Sequence, residues 1–276
     1  MKNFFNFKLY MFMQKHSFHL VDLSPWPFLI SVSIFSGTVS LLNFFHGYKN
    51  DISIIWNFIL LSFILFTWWR DLVRESTLGG YHTSLVQKSL RFGMFLFIIS
   101  EICFFFAFFW AFFHNSLSPS IEVGGIWPPK GILFFNPWFI PLVNTLILLL
   151  SGCAVTWAHH AILSGNKNEV LKGLQWTIFL AFLFSFFQYL EYIQAEFRFS
   201  DSCYGSIFFL TTGFHGVHVI IGTIFLISCF VRFLNFHFTI EHHFGFESAI
   251  WYWHFVDIVW LFLFISIYWW GTLKFA

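Results

Sequence analysis

Seven apolar runs along the chain are each long enough to cross a bilayer, and they restrict the fold more than any other feature. A helix of roughly 20 residues spans the hydrocarbon core, which is about 30 Å thick. Bounded by Pro, Gly and clusters of charge, the runs lie at residues 27–46, 52–69, 86–114, 138–163, 172–195, 204–234 and 247–270. Hydrophobic residues fill 58% of the 276 positions and charged residues only 10%, whereas soluble domains carry about 25% charged residues. The sequence therefore predicts an all-α polytopic membrane protein with seven transmembrane helices.

Lysine and arginine are distributed unevenly between the two ends of these runs. Ten fall on the side of the N-terminus and four on the other side when the spans alternate in direction. Because basic residues are enriched in cytoplasmic or matrix loops, this bias predicts an N-terminus inside and, after an odd number of spans, a C-terminus outside. The 46 phenylalanines stand at many positions where Leu or Val would pack equally well, which is typical of the codon bias of an organelle genome.

Composition also excludes several classes of function. The net charge of +1 gives no indication of nucleic acid or of an acidic ligand. The four cysteines are scattered singly, without a C-x-x-C pair, which argues against a cysteine-ligated zinc site and gives no disulfide framework. They are Cys103, Cys153, Cys203 and Cys229.

One carboxylic acid, Glu101, stands in the middle of the apolar stretch FLFIISEICFFFAFFWAFF, residues 95–113. An ionisable group at bilayer depth costs a few kcal/mol or more, so it is a candidate functional residue by default. Desolvation favours the neutral acid, and the alternative is a polar partner on another helix. His218 and Gln188 are candidate partners. The sequence leaves open whether Glu101 only makes an interhelical hydrogen bond or influences proton uptake.

Three histidine pairs have the appearance of metal ligands, namely His159–His160, His215–His218 and His242–His243. Adjacent helical residues point about 100° apart, and a metal site usually needs three or four donors with an outer shell. The prediction is therefore that no metal is bound. Helix-end hydrogen bonding is the preferred role for the two adjacent pairs, and interhelical packing is preferred for the third, with contacts to a partner subunit as its alternative.

Two further polar groups occur near helix ends or within spans. His254 and Asp257 are three residues apart on a helix, which favours a structural hydrogen-bonded pair over a proton relay. Arg74 and Arg232 stand at inner helix ends, where they either fix the topology or bind a lipid phosphate, for which the arginine fork is suited. His82 and Trp68 are weaker candidates for the same lipid.

Eight segments, several of them long and rich in Trp, follow one another from about residue 16 to the C-terminus. They are HLVDLSPWP, WWRDLVREST, VQKSLRFGMFLFIISE, GGIWPPKGI, TWAHHAIL, SDSCYGSIFF, TGFHGVHVIIG and HHFGFESAIWYWHFVDIVWLFLFISIYWWG. Together they strongly resemble the cytochrome c oxidase subunit III family of the mitochondrial type.

The resemblance implies an organisation of the chain. It predicts a single membrane domain over residues 1–276, with an inner N-terminal segment (1–25), a two-helix hairpin (26–74) and a five-helix bundle (84–272). Lipids are expected in a V-shaped cleft between the hairpin and the bundle, which strengthens the lipid role of Arg74 and Arg232. Glu101 matches the family's buried glutamate on the third helix.

The resemblance also implies a function. The expectation is a non-catalytic core subunit of respiratory complex IV that packs on subunit I, near subunit II and accessory subunits, and supports proton uptake and stability during turnover. Haem a, haem a3 and copper are expected in the partner subunits and none in this chain. The expected location is the mitochondrial inner membrane, with a bacterial plasma membrane as the alternative.

Three other functions are alternatives to this one. A quinol oxidase subunit III is the nearest alternative, because the electron donor docks elsewhere. A redox subunit would need convergent haem or copper ligands, and a transporter would show inverted repeats or broken helices. Neither pattern is visible in the sequence.

Overall fold

The computed structural model describes residues 16–48 and 51–273, and within these ranges it contains seven long helices and no strand. All seven are long and apolar enough to cross a membrane, so the prediction of an all-α polytopic protein is confirmed. They are α1 (Trp26–Phe45), α2 (Asp51–Thr77), α3 (Ser84–Leu117), α4 (Ile140–Leu163), α5 (Lys167–Ile193), α6 (Cys203–Leu234) and α7 (Phe244–Leu263). Helix α7 continues as a π-helical turn at Phe264–Trp269 and a 3₁₀ turn at Trp270–Thr272.

Helix α2 is longer than the apolar run that predicted it. The run ends at residue 69, but the helix continues through the charged segment RDLVREST to Thr77. Hydropathy reports only the part of a helix that lies in lipid, whereas Arg, Leu and Glu are good helix formers in any solvent. The polar last turns of α2 therefore extend beyond its apolar part.

The chain forms two compact units, residues 1–90 and residues 91–276. In the first unit, α1 packs against α2, and a hydrogen bond joins them near each end of the hairpin. Asn57 Nδ2 donates to Ser40 Oγ at 2.9 Å, and Trp26 Nε1 donates to Asp71 Oδ2 at 2.9 Å. These bonds hold the register of the two helices, because an unpaired polar group in lipid is costly.

In the second unit, α4 and α5 approach each other closely because small residues line their contact. A Cβ built on Gly173 of α5 would lie 2.8 Å from Ala158 Cβ of α4 and 3.0 Å from the Ala154 oxygen. The sharp turn between these helices uses Gly165 at φ 73°, a left-handed conformation that glycine adopts without strain. This is the small-residue packing that lets helices associate within a bilayer.

Helix α7 is held to α4 by two buried tryptophans. Trp253 Nε1 donates to Ser151 Oγ at 2.9 Å, and Trp260 Nε1 donates to Thr145 Oγ1 at 3.0 Å. Both indoles are completely buried. Each bond satisfies a polar N–H that would otherwise be stranded in an apolar core.

Helix α3 meets the rest of the second unit through long aromatic side chains. Phe97 stacks on Tyr252 with ring centroids 6.3 Å apart, and Phe105 lies 6.0 Å from Phe255. Consecutive spans alternate in direction, so the starts of α3, α5 and α7 share one end of this unit with the ends of α4 and α6. That end carries four cations and is called the basic end below. They are Arg91, Lys167, Lys172 and Arg232.

Candidate functional site

The intramembrane carboxyl group of Glu101 is hydrogen-bonded to a histidine on another helix. Its Oε2 atom on α3 lies 2.8 Å from His218 Nε2 on α6. The second ring nitrogen of His218, Nδ1, lies 2.7 Å from the Phe214 carbonyl oxygen one turn earlier on α6. Of the two candidate partners, His218 and Gln188, the structure therefore brings His218 to Glu101.

The hydrogen bond to Phe214 places one proton of the pair. A carbonyl oxygen only accepts, so Nδ1 of His218 must carry a proton. Nε2 then shares a second proton with Glu101, either as a neutral acid beside a neutral imidazole or as a carboxylate beside an imidazolium. Both descriptions have zero net charge, which explains how a carboxyl group is tolerated at this depth.

Aromatic rings surround the imidazole of His218. Phe105 meets it edge to face at 4.9 Å between centroids, Tyr252 stacks on it at 6.3 Å, and Phe104 and Phe255 lie at 6.1 and 6.3 Å. The side chain of Glu101 nevertheless remains 22% exposed on this chain. The imidazole is thus enclosed by aromatic rings, while the Glu101 carboxyl keeps some exposed surface.

His215 has a different role from His218, although both lie on one face of α6. Its Nε2 donates to the Val256 carbonyl oxygen of α7 at 3.2 Å, and its ring packs against Trp260 and Phe184 at 5.2 and 5.7 Å. The side chain is fully buried. His215 therefore ties α5, α6 and α7 together, as expected for an interhelical hydrogen bond in lipid.

His254 and Asp257 lie close together but do not form the hydrogen bond expected from their spacing. His254 Nδ1 is 3.8 Å from Asp257 Oδ2, which is longer than a hydrogen bond. The other ring nitrogen of His254 lies 3.3 Å from Thr156 Oγ1 on α4. Asp257 Oδ2 instead packs against Gly152, where a Cβ would approach it to 2.7 Å. The contact with α4 turns both side chains away from an intrahelical bond.

Arg232, a candidate lipid ligand at the end of α6, is half-buried against its own chain. Its guanidinium carbon lies 4.4 Å above the Phe238 ring, and Nη1 would lie 2.5 Å from a Cβ at Gly245. Within the described residues, no carboxylate lies at ion-pair distance from it. Arg232 is therefore a positioned cation whose charge is not neutralised by the described part of this chain.

The other three lipid candidates belong to the first unit. Arg74 is 62% exposed, with its nearest carboxylate oxygen, Asp71 Oδ1, 3.9 Å away. Trp68 and His82 are half-buried, and the His82 ring packs edge-on against His19 at 5.9 Å. Arg74 thus presents a largely unneutralised charge at the polar end of α2.

The most deeply buried carboxylate, Glu191, was missed by the sequence reasoning. It is 0% exposed, and neither oxygen has a hydrogen-bond partner among residues 16–48 and 51–273. The Tyr268 hydroxyl lies beside it, and this hydroxyl has no partner with hydrogen-bond geometry in the described part of the chain. Glu191 stands near the end of its apolar run, a position that does not by itself distinguish water from the core. The Gln188–Glu191 spacing, two polar residues on one helical face, is the sequence signal that could have indicated burial.

Seven apolar helices, joined by hydrogen bonds between buried polar side chains, define a multi-pass helical membrane protein. A family model described as cytochrome c oxidase subunit III matches residues 16–272. The chain is 59% identical to the cytochrome c oxidase subunit 3 of Chondrus crispus, over 94% of this chain and 95% of the relative. It is 58% identical to that of Arabidopsis thaliana, over 94% and 98%, and 56% identical to that of Anopheles quadrimaculatus, over 93% and 98%.

The chain belongs to the cytochrome c oxidase subunit III family. The match extends over all seven helices. The resemblance inferred from the eight motifs is therefore confirmed.

Proposed function

We propose that this chain is a non-catalytic core subunit of cytochrome c oxidase, respiratory complex IV, in the mitochondrial inner membrane. The observation that carries this proposal is the family match along residues 16–272. The chain packs on subunit I, with subunit II and accessory subunits nearby. Haem a, haem a3 and copper belong to the partner subunits, and electrons pass there from cytochrome c to O2 while protons are pumped.

A stripe of aromatic residues on α3 supports the packing on a partner. Phe92, Phe95, Phe106 and Trp110 are 53–65% exposed, and their spacing of 3, 11 and 4 residues places them on one face of the helix. In a bilayer such a face is covered by lipid tails or by another protein. Glu101, which faces His218, lies on the opposite side of α3, so the stripe points away from the bundle, and we assign it to subunit I.

Co-purification tests the assignment. The chain is isolated from its native membrane in mild detergent, and the accompanying proteins are identified by mass spectrometry together with a visible haem spectrum. The expected result is haem a and the subunits of a cytochrome c oxidase. A haem-free preparation, or one that oxidises quinol and not cytochrome c, contradicts the proposal.

The Glu101–His218 pair supports a role in proton uptake by the complex. It holds one proton between two atoms 2.8 Å apart, with zero net charge in either form, and the Glu101 side chain is 22% exposed. Glu101→Gln removes the exchangeable acid, while the amide N–H still donates to His218 Nε2. We expect normal assembly, slower proton uptake and faster loss of activity during turnover.

A matched control is Glu169→Gln, which neutralises an acid paired with Lys172 at 3.1 Å at the start of α5. It should leave proton uptake and lifetime at the wild-type values. If Glu101→Gln also behaves as wild type in a fully assembled complex, Glu101 has only a structural role.

Lipid binding at Arg74 and Arg232 rests on two arginines suited to phosphate: Arg232 has no carboxylate at ion-pair distance within the described residues, and Arg74 is 62% exposed with Asp71 Oδ1 3.9 Å away. Trp68 and His82 are assigned to the lipid bound near Arg74. Arg74→Ala and Arg232→Ala are expected to lose tightly bound phospholipid, measured by mass spectrometry of the purified complex. Arg198→Ala, on the loop between α5 and α6, is the control. An unchanged phospholipid content in both variants refutes the assignment.

The orientation follows from the ten basic residues against four. We place the N-terminus in the matrix and the C-terminus in the intermembrane space. Protease treatment of intact mitochondria without their outer membrane should remove an epitope from the C-terminus and spare one at the N-terminus. The reverse pattern contradicts this orientation.

A further inference from the structure

Two histidines and one glutamate converge at the basic end of the second unit. One potential ligand atom from each of His159, His243 and Glu247 lies within 4.8 Å of the other two. The imidazole rings of His159 and His243 are 5.6 Å apart. The argument against metal binding by adjacent histidines does not apply to this cluster, because each adjacent pair contributes only one ring.

The orientation of His243 is suited to ligation. Its Nδ1 donates to the Thr239 carbonyl oxygen at 3.1 Å, which leaves Nε2 with a free lone pair. Nε2 is buried without a hydrogen-bond partner in the described part of the chain, and the residue is only 4% exposed. A metal-binding histidine is held in this way by a backbone carbonyl on its second nitrogen.

Glu247 is held in place by Arg91. Arg91 Nε lies 2.7 Å from Oε2 and Nη2 lies 3.1 Å from Oε1. Each carboxylate oxygen has two lone pairs, and the arginine uses one on each oxygen, so one remains on each for a cation. Ligating carboxylates are commonly oriented by such outer hydrogen bonds.

The spacing of the donors agrees with a tetrahedral ion. Bonds of about 2.0–2.1 Å at tetrahedral angles place two ligand atoms about 3.3–3.4 Å apart. His243 Nε2 and Glu247 Oε1 are 3.4 Å apart. The His159 donor atom lies within 4.8 Å of the other two, so a tetrahedral ion requires this half-buried side chain to move closer to them.

We propose that His159, His243 and Glu247 form a binding site for one transition-metal dication of the zinc type, with water as the fourth ligand. Two imidazole nitrogens favour zinc over Mg²⁺ and Ca²⁺, which prefer oxygen ligands. The ion links the end of α4 to the start of α7, and through Arg91 it links both to α3. It therefore acts as a clamp across the basic end of the bundle.

Zinc binding to the intact oxidase complex tests the proposal. The complex is treated with a chelator, equilibrated with Zn²⁺ and analysed by elemental mass spectrometry, in the wild type and in His159→Gln and His243→Gln. The control is His160→Gln, which changes the exposed neighbour of His159. Haem content reports assembly. We expect the two ligand variants to lose one zinc equivalent, with affinity at least about tenfold weaker, and the control to retain it.

An anomalous difference map of the wild-type complex at the zinc edge gives a second measurement that does not depend on folding of the variants. A peak between the three side chains that persists with excess Mg²⁺ supports the site. The absence of a peak at saturating zinc, or equal zinc content in His160→Gln and His243→Gln, overturns the proposal.

Discussion

The close contact between α4 and α5 predicts a large penalty for adding one methyl group at Gly173. In Gly173→Ala, the new Cβ would lie 2.8 Å from Ala158 Cβ, whereas carbon atoms in contact are about 3.5–4.0 Å apart. The helices must therefore separate by up to about 1 Å, or the chain must deform. Overpacking of this kind costs about 1–3 kcal/mol.

Gly216→Ala is the matched control for this change. Gly216 lies within α6 and a Cβ there meets nothing within 4 Å. Both variants gain the higher helix propensity of alanine, about 1 kcal/mol, so the difference between them isolates the steric term. Equilibrium unfolding in mixed micelles with increasing SDS should show Gly173→Ala less stable than Gly216→Ala by about 1–3 kcal/mol. Equal free energies of unfolding would refute the tight packing of α4 on α5.

Three further changes test other parts of the second unit by the same unfolding measurement. Glu191→Leu should stabilise the chain by about 1–3 kcal/mol because it removes a buried carboxyl that has no hydrogen bond, and a loss of stability would reveal a partner. Trp253→Phe should cost about 1–3 kcal/mol through the lost bond to Ser151 and the smaller ring; an unchanged value would mean that this bond contributes nothing. Ser202→Ala should cost about 0.5–2 kcal/mol, because Ser202 Oγ caps the first turn of α6, whereas Ser206→Ala tests a hydroxyl that caps no helix.

The number and positions of the spans could be predicted from the sequence because transfer into lipid is a local property of each run. The helix ends could not be predicted as well. Helix α2 continues eight residues beyond its apolar run, to Thr77. Hydropathy did not predict this end, because it indicates which residues lie in lipid and not which residues form backbone hydrogen bonds. The boundary between the two compact units, at residues 90 and 91, falls inside α3. The single-domain organisation stays a prediction.

The sequence identified Glu101 and His218 as candidate residues, but it could not show that they contact each other. Glu101 and His218 are separated by 117 positions, and the relative depth of two spans depends on packing that no single run encodes. Glu191 was missed for the same reason, because a residue near the end of a run lies in water or in the core depending on its neighbours. His159 and His243 each belong to a recognisable doublet, but only the fold shows that one ring of each doublet faces the other.

The hydrogen bond from His218 Nδ1 to Phe214 has an electrical consequence. It keeps one proton on the ring, so the proton shared with Glu101 can move only along the 2.8 Å between Nε2 and Oε2. That path is short compared with the hydrocarbon core, which is about 30 Å thick. The transmembrane voltage acts on a charge in proportion to its displacement along the membrane normal. Transfer of the proton within the pair therefore crosses only a small fraction of the voltage, and the membrane potential has little influence on it.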